Sequence, residues 1–239
     1  MISAQGLIDE LALAGVTIEV DGPPSSAALT PIALTVRVYA DRLAGLPDAP
    51  PVDGISPYAA FRALFGPIVI HIYPDRYTLD GTLHAMHCGW EGLQERGCQI
   101  PAIHPARTFP PDAWLIVFAG EALASPDSLW SVHLVAHELA HSLTWGEGPY
   151  AAGEGAFDYV FYAGQPFVMT HAEAFGVQMG AYAYETEAAR ADHRFWRQEL
   201  TADAIASWAL NDLQGPHAGS VGGYLDDFMR CVTQNRPDC

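Results

Sequence analysis

Four stretches in the first half of the chain carry apolar and β-branched residues in partial alternation. They are "VTIEV" (16–20), "IALTVRVYA" (32–40), "PIVIHIY" (67–73) and "AWLIVFAG" (113–120). Bounded by Gly and Pro, each predicts a strand. Ahead of them, "MISAQGLIDELALAG" has its apolar residues at helical spacing and predicts an amphipathic helix ending at Gly15. The Pro/Gly/Asp stretch 45–57 reads as a loop, and 74–111 reads as irregular. From residue 125 the period changes to that of helices, with segments at 125–145, 170–186, 190–213 and 219–232. The pattern predicts an α+β fold in one domain over 1–239: a strand-rich lobe (1–124), then a long helix from 125 and a helical lobe (125–239).

The helix expected from 125 has a capping residue in Ser125, Pro126 at its first position and Asp127 in its first turn. Gly146, after Trp145, is its stop signal. Val132, Val135, Ala136, Leu139 and Leu143 form one apolar face, which must pack on a core. Trp130, His133, His137, His141 and Thr144 fall on the other, which reads as the floor of a cleft. Within it, "LVAHELAHSL" (134–143) spells H-E-x-x-H.

The spacing has a chemical meaning. Two histidines four apart stand one turn above the other, so neutral His137 and His141 can both donate to one zinc ion. Glu138 cannot reach the same point, but it can take a proton from a water that zinc activates against a polarised carbonyl. A catalytic zinc site usually has a third protein ligand. Glu199 and Asp203, in "RQELTADAIASWAL", fall within the apolar side formed by Phe195, Trp196, Ala202, Ala206, Leu210 and Leu213. Carboxylates on a core face are costly unless something positive meets them. Glu199 is therefore the preferred third ligand. Asp203 is expected to accept the ring N–H of a ligand histidine, fixing its tautomer. Glu173, in "THAEAFGVQMGAY", is the alternative ligand, although Thr170-x-x-Glu173 also reads as a capping box. His133, one turn before His137, reads as a cleft residue or one that supports the ligands from behind.

"WLIVFAG" followed by "SLWSVHLVAHELAHSL" resembles the edge strand and active-site helix of the zincin metallopeptidases. The resemblance covers about 112–146. The Glu199-x-x-x-Asp203 spacing is similar to the third-ligand motif of the E-x-x-x-D gluzincins, and Glu173 to the glutamate helix of gluzincins such as lethal-factor-like toxins. Glu147 stands where metzincins place a third ligand, without their preceding Gly, and Asp158 faintly resembles the aspartate of the aspzincins. The resemblance implies a zinc metalloendopeptidase acting on a peptide or protein, with a Tyr or His stabilising the transition state. Tyr150, Tyr159, Tyr162, Tyr182 and Tyr184 are the tyrosines considered for that part. The alternative is a zincin-fold interaction or structural module without turnover.

Composition narrows the partners. The 239 residues are 50% apolar and carry a formal charge of −17. So acidic a chain repels phosphate backbones, which argues against nucleic acid and anionic membrane surfaces. No apolar run reaches transmembrane length, and the N-terminus lacks the basic and apolar regions of a signal peptide. Cys88 with Cys98, and Cys231 with Cys239, could each close a short disulfide loop, which would favour an extracytoplasmic or secreted setting. Four free thiols in a cytosolic protein is the other reading.

Overall fold

The computed structural model describes residues 2–46, 58–75, 102–108, 113–125, 128–144 and 202–233. It contains helices and strands in alternation. Helix α1 (Ala4–Leu13) starts on Ser3, whose side chain accepts from the Gly6 N–H. It stops at Gly15, where φ is 80°, a left-handed value that suits glycine. Leu7 and Leu11 are its buried residues, and α1 packs on strand β1 (Val16–Val20).

The expected strand at 32–40 is not one. Residues Ser26–Ala44 form a single helix, α2. Its buried positions, Ala28, Leu29, Ile32, Ala33, Val36, Tyr39, Ala40 and Leu43, recur at helical spacing across the whole segment. The β-branched Ile32, Thr35, Val36 and Val38 imitate a strand over nine residues, but burial of one long stripe overrides that preference. Pro31, read as a boundary, lies inside the helix. Its carbonyl accepts the Thr35 hydroxyl at 2.8 Å.

Helix α3 (Ala59–Phe65) follows, unforeseen in the sequence pattern, then strand β2 (Ile68–Tyr73). Strand β3 (Ala102–Thr108) lies within the stretch expected to be irregular, and strand β4 (Ala113–Ala119) comes next. The sheet order is β1-β2-β4-β3. β1, β2 and β4 are parallel, with Ile18 opposite Ile70 and Ile70 opposite Ile116. β3 is antiparallel to β4, with a register shift between Ile103 and Ala106. The strand at 113–119 is thus interior, not the edge implied by the zincin resemblance. Its near-continuous apolar run suits a strand covered on both faces. Among the described residues the edge beyond it is β3.

One face of the sheet packs into the core through Val16, Ile68, Ile70, Ile72, Trp114, Ile116 and Phe118. Val69, His71 and Tyr73 face the other way and are half-buried. The expected strand-rich lobe is therefore a mixed one, its strands interleaved with helices. At the end of β4 the chain turns directly into a short helix, α4 (Gly120–Leu123). A Cβ on Gly120 would stand 3.0 Å from the Tyr73 carbonyl oxygen and 3.1 Å from that of Pro74, so only glycine fits there without displacement.

Helix α5 (Ser128–Thr144) carries the H-E-x-x-H stretch. Of the capping signals at 125–127, Pro126 and Asp127 lie outside the described residues. Residues 202–209 form a helix, α6, buried on all sides by Ala202, Ala204, Ile205, Ala206, Trp208 and Ala209. The expected continuation to 213 does not occur. Asn211 takes φ 55°, its N–H bonds to the Trp208 carbonyl, and the Asp212 N–H bonds to the Ser207 carbonyl at 2.8 Å. That is a Schellman stop with asparagine in the left-handed position. Helix α7 (Ala218–Thr233) closes the described chain. No helix among the described residues is long and apolar enough to cross a membrane.

Candidate metal centre

Helix α5 is fixed from behind by α2. The Tyr39 hydroxyl donates to the Ala136 carbonyl at 2.9 Å, and the Thr35 hydroxyl reaches the Val132 carbonyl at 3.2 Å. Tyr39 is wholly buried and meets Phe65 edge-on, with ring centroids 5.3 Å apart. On the same side as these bonds, Val135, Ala136 and Leu139 are sealed in the core. Ser131 ties the first turn to α4 through the Ala122 carbonyl, at 3.0 Å. The helix is therefore anchored on its apolar face, which fixes the direction of the histidines opposite.

That opposite face is not an open floor. His133, His137, Glu138 and His141 are all buried. Asp203, on α6, lies against it and is 1% exposed. Its Oδ1 stands 2.6 Å from His137 Nδ1 and 3.7 Å from His133 Nε2. Burial pushes the Asp203 carboxyl up, but His137 and His133 beside it more than offset that and hold it below the usual carboxylate range. It is an ionised acceptor, so in the neutral tautomer His137 carries its proton on Nδ1 and donates it to Asp203.

The consequence appears at the other nitrogen. His137 Nε2 then presents a lone pair, and it lies 2.9 Å from His141 Nε2. The two rings meet nearly at right angles, 84° between planes. Two imidazole nitrogens on one tetrahedral zinc, with bonds of about 2.0–2.1 Å, stand roughly 3.3 Å apart. The pair thus converges with close to the separation that a shared metal requires, and the donor set suits zinc. Without a metal the same atoms form a hydrogen bond from His141 Nε2–H to His137 Nε2.

Glu199, Glu173, Asp158, Glu147 and the five tyrosines lie outside the described residues, as do Cys88, Cys98 and Cys239. Cys231 falls in the last turn of α7. Among the described residues no group of three or more His, Cys, Asp or Glu side chains is arranged to hold a metal.

A second cluster steadies α6. The Trp208 indole N–H donates to Asp226 Oδ1 at 2.7 Å, and Arg42 Nη2 donates to the same oxygen at 3.1 Å. The Arg42 guanidinium also lies over the Trp208 ring, 5.0 Å from its centre. This contact joins α2, α6 and α7 and holds the helix that delivers Asp203. Sequence patterns gave no signal for it, since Arg42 and Asp226 are 184 residues apart. Comparison with known proteins adds no relative: no family model, curated protein or solved structure matches the chain.

Proposed function

We propose that this chain is a zincin-like zinc metallopeptidase of the gluzincin type, nearest to E-x-x-x-D members, that hydrolyses peptide bonds in a peptide or protein substrate. One observation carries the reading. His137 Nε2 and His141 Nε2 converge to 2.9 Å while His137 Nδ1 is held by Asp203 at 2.6 Å. A buried carboxylate that fixes a histidine tautomer and turns its other nitrogen toward a second histidine is the arrangement metal ligands need.

In this reading His137, His141 and Glu199 hold zinc, with Glu173 as the alternative third ligand. When bound, the ion supplies Lewis acidity, which polarises the scissile carbonyl and raises the acidity of the attacking water. The chain's own residues do the rest. Glu138 takes a proton from that water on a carboxylate oxygen and delivers it to the leaving amine nitrogen. Asp203 keeps His137 from rotating as charge shifts at the centre. Strand β3 is the edge among the described residues, packs near α5 and offers backbone groups with which an extended peptide could pair.

The burial of Glu138 and the three histidines favours a second reading, a zincin-fold module that holds zinc without turnover. The test is metal content and peptide-library hydrolysis by the native protein and by Glu138→Gln. The peptidase reading expects about one zinc per chain in both and hydrolysis in the native protein alone. Zinc in both with cleavage in neither selects the non-catalytic module. Absence of zinc from the native protein overturns both readings.

A further inference from the structure

We draw no further inference here: the strongest candidate, the side-chain cluster in which the His71 ring on β2 lies between Glu19 of β1 and Asp21 just beyond it, sets the two carboxylates against opposite ring nitrogens, at 3.3 Å and 3.4 Å, so the three do not converge on one ligand, and nothing in the structure shows what the cluster would bind.

Discussion

Asp203 and His137 are 66 residues apart in the chain and 2.6 Å apart in space, on two buried helices. Each conditions the other: the imidazole helps to hold the buried carboxyl below its usual range, and the carboxylate favours the Nδ1–H tautomer of the ring.

Asp203→Asn tests that dependence. The amide keeps the shape but offers an oxygen of lower charge, or a nitrogen that cannot accept. Zinc affinity measured by chelator competition should fall about 10–100-fold with the fold retained. Unchanged affinity would show that the pair does not prepare a ligand.

The third ligand is decided by Glu199→Gln against Glu173→Gln. If Glu199 binds zinc, its substitution abolishes tight binding, while Glu173→Gln is mild because Gln also serves in a capping box. If Glu173 is the ligand, the order reverses. Chelator competition on both variants reads out which.

Tyr39→Phe removes the hydroxyl that bonds the Ala136 carbonyl and leaves the ring against Phe65. Denaturant unfolding should show a loss of about 1 kcal/mol. Zinc affinity should stay close to native, because the hydroxyl supports the helix from the face away from the histidines. A large loss of affinity at unchanged stability would place Tyr39 in the centre itself.

Glu10 supplies a pH-dependent part of the stability. It pairs bidentately with Arg37 and accepts from Tyr58, joining α1, α2 and the residue ahead of α3. The Arg37 guanidinium holds its carboxyl below the ordinary value of 4.5, outweighing burial. A lowered folded-state value means the contribution is full above about pH 4.5 and lost as pH falls below it. Glu10→Gln should therefore destabilise by a constant amount near neutral pH, and the difference should vanish in acid. Melting curves of both proteins from pH 7 to 3 measure this, and a pH-independent difference would exclude the ion pair as its source.

Local patterns foretold local features. Helix α1 ending near Gly15, strands β1, β2 and β4, helix α7 and the H-E-x-x-H helix are each set by period and punctuation within their own segment. Placing Asp203 on an apolar side was also legible, since a charge among alanines stands out. Other features were not. α2 was hidden because the four β-branched residues within 32–40 let that segment pass as a strand, and only the full 26–44 stripe shows the helical repeat. β3 lies among turn-forming residues and owes its extension to pairing with β4. The end of α6 hinges on a left-handed Asn211, a conformation most readily assigned to the later Gly215. The role of Trp208, Arg42 and Asp226 depends on three distant segments meeting, which no local pattern encodes.

The bonds that frame α5 also order events in time. Its back is held from residues 97 positions earlier, its histidine face is met from 66 positions later, and the clasp that steadies α6 spans 184 positions. Such long loops close slowly, because chain entropy must be lost before any contact repays it. As the polypeptide emerges from the ribosome, the histidine pair is complete long before Asp203 exists to fix its tautomer. In the proposed reading, the centre is complete only once the distant helix that carries Asp203 has docked on α5.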